Sequence, residues 1–152
     1  MFLETKAKFD EIFENKLSQD EIRDYFLELY NRGETASEFA GAASSMRDFM
    51  IPLPINEELR KKSIDIVGTG GDKSYSFNIS STVSILMASM GSYVAKHGNR
   101  SVTSKSGSAD MLEALGINLN LSLEDSARML EETGFGFMFA ANHHPAMKYI
   151  TP

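Results

Sequence analysis

Two short polar runs hold most of the residues able to do chemistry. Gly68-Thr-Gly-Gly-Asp72 places glycines at positions 68, 70 and 71. Without Cβ atoms, successive backbone N–H groups can turn toward one point and a phosphate can approach closely. Asn78-Ile-Ser-Ser81 follows six residues after Asp72, at the expected start of a helix. Unpaired N–H groups and the positive end of the dipole favour an anion there, and the hydroxyls add donors. The spacing is not the dinucleotide-binding G-x-G-x-x-G, and no Gly-Lys-Ser/Thr closes a P-loop. The second run is Lys96-His-Gly-Asn-Arg100, continuing through Ser104 and Lys105 to Ser108. Lysine and arginine bring positive charge, and arginine can grip phosphate oxygens in pairs. Ser104 and Ser108 supply hydroxyls, and Asn99 offers both a donor and an acceptor.

Charge singles out the same stretch. The formal net charge is −6, yet no Asp or Glu occurs from Lys73 to Ala109, while Lys73, Lys96, Arg100 and Lys105 do. A cationic stretch inside an acidic chain suggests a small anionic ligand held at one place. The acidic balance argues against general nucleic-acid or membrane-surface binding. The absence of cysteine excludes a disulfide scaffold, a thiolate nucleophile and a Cys-zinc site, and suits a reducing cytoplasm. No apolar run has membrane-spanning length and no signal peptide is visible. His143 and His144 are adjacent, so their side chains diverge and do not readily share a metal.

The elements that must position these runs come in two grammars. Up to residue 62, apolar residues recur at helical spacing: Phe9, Ile12 and Phe13, then Ile22, Tyr25, Phe26, Leu29 and Tyr30. Ser18-Gln-Asp-Glu21 and Thr35-Ala-Ser-Glu38 have capping-box form, and Gly33 stops the helix between them. Pro52 and Pro54 end the next helix. From residue 63 strands and helices alternate. Ile64–Val67 reads as a buried strand, Ser80 to Met90 as a helix with Met87 and Met90 in the core, and Tyr93–Ala95 as a second strand. Helices opened by Ser108 and Ser122, the latter stopped by Gly134, lead to a third strand, Phe135–Phe139. Alternation predicts parallel pairing, with both polar runs beyond the carboxyl ends of strands and so facing one crevice. Three strands are few for such a sheet, so the α/β part reads as incomplete.

Taken together, Gly68-Thr-Gly-Gly-Asp72, Asn78-x-Ser80-Ser81, Lys96-His-Gly-Asn-Arg100, Ser106-Gly-Ser-Ala-Asp110 with Leu112-Glu-Ala-Leu-Gly116, and His144-Pro-Ala-Met-Lys148 resemble the anthranilate phosphoribosyltransferase family in order and spacing. The resemblance implies a small N-terminal all-α helical domain (residues 1–62), used for homodimerisation. It is joined to a truncated parallel-sheet α/β domain of nucleoside phosphorylase/phosphoribosyltransferase type (residues 63–152). The implied reaction moves phosphoribose from 5-phosphoribosyl-1-pyrophosphate (PRPP) to the amine of anthranilate in tryptophan biosynthesis, with Mg²⁺. By the same resemblance Gly68, Gly71, Asp72, Ser76, Asn78, Ile79 and Ser81 contact PRPP, and Ser80 also helps hold Mg²⁺. Lys96, His97, Gly98, Asn99, Arg100, Ser104 and Ser108 form the second PRPP wall. Gly68, Asn99 and His144 match anthranilate contacts, with His97 near the same channel. Ser81 stands where the family frequently has threonine. The family's arginine for the anthranilate carboxylate and its Asp-Glu pair for Mg²⁺ fall beyond Pro152, which implies an N-terminal piece without useful catalysis by itself. Alternatives of related fold are a pyrimidine nucleoside phosphorylase, whose loop is longer than Gly70-Gly71-Asp72, a non-catalytic nucleic-acid binder, and a helical association module.

Overall fold

The computed structural model describes residues 1–68, 77–101 and 106–150. Two compact units form: Met1–Ile51 with the residues from His144 onward, and Pro52–His143. The division differs from one at residue 62, because the short helix Glu57–Lys62 groups with the second unit and the end of the chain with the first. Among the described residues no helix is long and apolar enough to cross a membrane.

The first unit contains α1 (Phe2–Phe13), α2 (Gln19–Arg32), α3 (Ala36–Asp48) and a 3-10 helix, Pro145–Tyr149. Both expected capping boxes form. The Glu21 N–H donates to Ser18 Oγ at 3.3 Å and the Ser18 N–H to Glu21 Oε2 at 2.8 Å. The Glu38 N–H donates to Thr35 Oγ1 at 3.3 Å and the Thr35 N–H to Glu38 Oε2 at 2.9 Å. Each box satisfies helix-start donors that have no partner within the helix. Phe9, Ile12, Phe13 and Ile22 are buried, with Phe26, Met46, Phe49, Met147 and Ile150 packed on them. Each such side chain contributes about 1.5–3 kcal/mol of burial. Helices α1 and α3 meet closely at Gly41, where a Cβ would stand 2.6 Å from the Phe2 carbonyl oxygen.

In the second unit a three-stranded parallel sheet has the order β1 (Ser63–Ile64), β2 (Tyr93–Gly98), β3 (Phe135–Phe139). Ile64 pairs with Val94, and Val94 through Gly98 pair with Phe135 through Phe139. After α4 (Glu57–Lys62), α5 (Ile79–Ser89) connects β1 to β2, and α6 (Ser108–Ala114) with α7 (Leu123–Thr133) connects β2 to β3. Then comes α8, Ala140–His143. Val94, Ala109, Leu112, Leu119, Phe135 and Phe137 make the core. Gly134 ends α7 in the left-handed conformation, φ +73°, which glycine adopts without steric penalty.

Two expectations are corrected. The strand expected over Ile64–Val67 pairs only through Ser63–Ile64, and Ile64 and Val67 are 38% and 59% exposed. Beyond Ile64 the chain is held to β2 by side chains instead of a backbone ladder, as shown below. Met90 is 77% exposed. It is the residue that follows α5 as its C-cap, beyond the packed turns, whereas Met87 packs against the core as expected.

The Glu38 carboxyl supplies a pH test. The Arg32 guanidinium beside it, helped by the N–H and hydroxyl of Thr35, holds its pKa down to about 2. Because the folded value lies below that of an unfolded carboxyl, the stabilisation is present above the ordinary carboxylate range and disappears as pH falls toward 2. Thermal midpoints of the chain and of Glu38→Gln should therefore differ clearly at neutral pH and converge on acidification. A gap that stays constant over that range contradicts the pairing.

Candidate functional site

The parallel pairing of β1 with β2 brings the ends of both polar runs to the same edge of the sheet, and side chains then tie them together. Lys96, only 2% exposed, donates from Nζ to the Ile66 carbonyl at 2.8 Å and to its neighbour His97's carbonyl at 3.4 Å. The His97 N–H donates to Asp65 Oδ1 at 3.0 Å. These bonds carry the β1–β2 connection past Ile64, where the backbone ladder stops. Burial pushes the Lys96 pKa down while the Asp65 charge opposes it. The cation is thus spent on fixing the chain that leads into Gly68, and its direct reach toward an anion is reduced.

At the start of α5, a Cβ on Gly68 would lie 3.9 Å from Ser80 Oγ, so Gly68 sits beside the first turn of this helix. Asn78 is the N-cap residue, yet its side chain does not cap its own helix. Its Nδ2 donates to the Gly107 carbonyl at 3.1 Å and to Ser106 Oγ at 3.4 Å. That bridge joins the two runs. Ser81 is buried, Ser80 half-buried, and Ile79 is 52% exposed beside them.

The second run folds tightly on itself. Ser108 Oγ donates to the Asn99 carbonyl at 3.3 Å, and the Arg100 N–H donates to Asn99 Oδ1 at 2.8 Å. A Cβ on Gly98 would strike Ser108 Oγ and stand 2.8 Å from the Phe137 ring. One on Gly107 would strike the Ser101 nitrogen and the backbone of Asn99 and Arg100. The Asp110 carboxylate accepts from the Gly107 N–H at 2.8 Å and from the Ser101 N–H at 3.0 Å. Arg100 turns to the same group. Its Nη1 donates to Asp110 Oδ1 at 3.0 Å and to Glu113 Oε2 at 2.8 Å, and its Nη2 to Glu113 Oε1 at 3.1 Å. The guanidinium also lies 5.9 Å from the Phe139 ring centre. Glu113 and then Asp110 raise the Arg100 pKa, while the Asp110 pKa is lowered first by the two backbone N–H groups.

The structure therefore brings Gly68, Asn78, Ile79, Ser80, Ser81, Lys96, His97, Gly98, Asn99, Arg100 and Ser108 into one unit, with the two runs in contact through Asn78. Gly71, Asp72, Ser76 and Ser104 lie outside the described residues. His144 belongs to the first unit, where it opens the 3-10 helix and lines a small recess with Phe13, Met46, Phe49, Ala146 and Met147. His143 belongs to the second unit, buried, its ring 6.4 Å from that of His97. Burial lowers the His97 pKa, Asp65 opposing. Sequence reasoning gave no role to Asp65, Asp110 or Glu113. For Asp110 a signal existed, since Gly107-x-x-Asp110 has the spacing by which an acid at the third helical position reaches back to the N-cap N–H. The expected cationic surplus is also reduced, because acids just past the acid-free stretch fold back onto Arg100.

Gly107→Ala should lower the unfolding free energy by about 1–3 kcal/mol, read as a lower urea midpoint, since backbone atoms rather than a flexible side chain stand in the way of the new methyl group. An unchanged midpoint contradicts the close approach.

A model of the glycosyl transferase family, a/b domain, matches residues 60–152. An anthranilate phosphoribosyltransferase of Lactococcus lactis subsp. lactis is 50% identical over 141 residues, which cover 93% of this chain and 41% of that protein. One of Chromobacterium violaceum is 46% identical, covering 98% and 43%. Among solved structures, an anthranilate phosphoribosyltransferase of Thermus thermophilus superposes with a TM-score of 0.91 at 38% identity, over 100% of this chain and 45% of that one. That of Saccharomyces cerevisiae, in complex with PRPP and Mg, gives 0.63 at 28% identity over 77% and 32%. The chain spans well under half the length of these relatives.

Proposed function

The chain belongs to the glycosyl transferase family through the a/b domain at residues 60–152, and from that membership we propose that it is the N-terminal part of an anthranilate phosphoribosyltransferase. The whole enzyme then transfers phosphoribose from PRPP to anthranilate in tryptophan biosynthesis, and these residues carry its PRPP cradle. The observation that carries this reading is the Asn78 side chain on the Gly107 carbonyl. It joins a glycine loop and helix start to the second polar run, as a ligand with phosphates at two positions requires.

Each wall has a distinct task in this reading. Gly68, Gly71, Asp72 and Ser76 wrap the diphosphate and ribose, while Asn78, Ile79 and Ser81 present the start of α5, whose first N–H groups have no partner within the helix. Lys96, His97, Gly98, Asn99, Arg100, Ser104 and Ser108 shape the opposite wall. Gly68, Asn99 and His144 are the proposed anthranilate contacts. The half-buried Ser80 hydroxyl is one oxygen ligand of the kind Mg²⁺ accepts. When bound, that ion neutralises charge building on the departing diphosphate. The residues themselves hold the ribose C1 in line with the amine and keep the leaving group in a field of fixed donors. Further parts of the proposal are a homodimer formed through the helical unit, where Leu3, Leu27, Tyr30 and Phe39 are exposed, and a cytoplasmic setting in keeping with a cysteine-free chain.

Calorimetric titration of the chain with PRPP in the presence of Mg²⁺ tests the reading. Binding that is lost in Asp72→Ala is expected. No binding, or equal binding by both proteins, contradicts it.

A further inference from the structure

The bonds around Asp110 go beyond a helix cap. One oxygen, Oδ2, receives the Ser101 N–H at 3.0 Å and the Gly107 N–H at 2.8 Å, while Oδ1 receives Arg100. Ser101 and Gly107 belong to the second run, on either side of residues 102–105. At the same place Gly107 approaches the backbone of residues 99–101 so closely that no Cβ fits. Its carbonyl is in turn the acceptor of Asn78. A single carboxylate therefore ties two points of the second run together, and one of them bears the carbonyl that meets the first run.

We infer that Asp110 is a positioning residue for the PRPP cradle: it clamps the Ser101 and Gly107 N–H groups on one oxygen and so fixes the wall that carries Asn99 and Ser108. Arg100 serves the same clamp. Its guanidinium is engaged by Asp110, Glu113 and the Phe139 ring, and it occupies the other Asp110 oxygen, Oδ1. The inference rests on the PRPP reading above, but its geometry can be tested apart from it.

The role separates from general charge by comparing two variants. Asp110→Asn keeps an acceptor oxygen for the two N–H groups and loses only the charge toward Arg100. Asp110→Ala loses everything. PRPP affinity, measured by calorimetry with Mg²⁺, should fall about tenfold or more in Asp110→Ala, the scale of losing charge-assisted hydrogen bonds. It should recover most of the way in Asp110→Asn. Independently, in an acid titration of the unaltered chain followed by NMR, the amide protons of Ser101 and Gly107 should move together with one apparent pKa below the ordinary aspartate range. That readout stands even where Asp110→Ala fails to fold. Separate titrations, or none, overturn the clamp. Unchanged affinity in Asp110→Ala, or an Asp110→Asn as weak as Asp110→Ala, overturns the positioning role alone. If the unaltered chain binds no PRPP while the amides still titrate together, the functional reading falls and takes the positioning role with it, leaving only a structural clamp.

Discussion

A lysine ammonium resting on a backbone carbonyl governs the geometry of the second unit. Beyond Ile64 the first strand has no backbone pairing with β2, so the segment entering the glycine run would be free to swing. Lys96 Nζ on the Ile66 oxygen and Asp65 on the His97 N–H replace the missing ladder rungs. A buried ammonium is costly unless its hydrogen bonds are met. Once Lys96 is enclosed, only a chain path that delivers carbonyls to it satisfies that demand. The path that does so also brings Gly68 to the start of α5.

From that constraint the rest follows in steps. With Gly68 beside Ser80 at the start of α5, Asn78 reaches across to Gly107, and Asn99–Ser101 and Gly107–Ser108 are drawn together through Asp110 and the glycines at 98 and 107. Charge is distributed in a way that composition conceals. The acid-free stretch ends at Ala109, and the next residue, Asp110, folds back upon it with Glu113. The Arg100 guanidinium is therefore engaged by two acids, and the start of α5 is a second source of donors, whose fixed dipoles need little reorganisation when an anion arrives.

Much of this was legible in the residues because local chemistry decides it. Ser18, Glu21, Thr35 and Glu38 form boxes wherever a helix begins with that spacing, and Gly134 stops α7 for the same kind of reason. Parallel order followed from alternation of strand and helix, and the meeting of the two runs followed from parallel order. Lateral context was not legible. A β-branched run such as Ile64–Val67 shows that a strand is possible, not how many of its residues find a partner. Met90 continues an apolar helix, but periodicity does not say which face is covered. Arg100 looks like a phosphate ligand in isolation, and its engagement depends on two acids that only the turn at Gly107 brings near. The division of the chain was equally non-local, since the return of residues from His144 onward to the helical unit involves contacts across most of the sequence.

The shared ligand surface of the two runs is tested most directly by following backbone amides of the isotopically labelled chain during a titration with PRPP and Mg²⁺. The amides of Gly68 and Ile79–Ser81, and those of Asn99–Ser101 and Gly107–Ser108, should shift together and fit one dissociation constant. Shifts confined to one set, or two sets with different constants, would show that the runs touch each other without serving a common ligand.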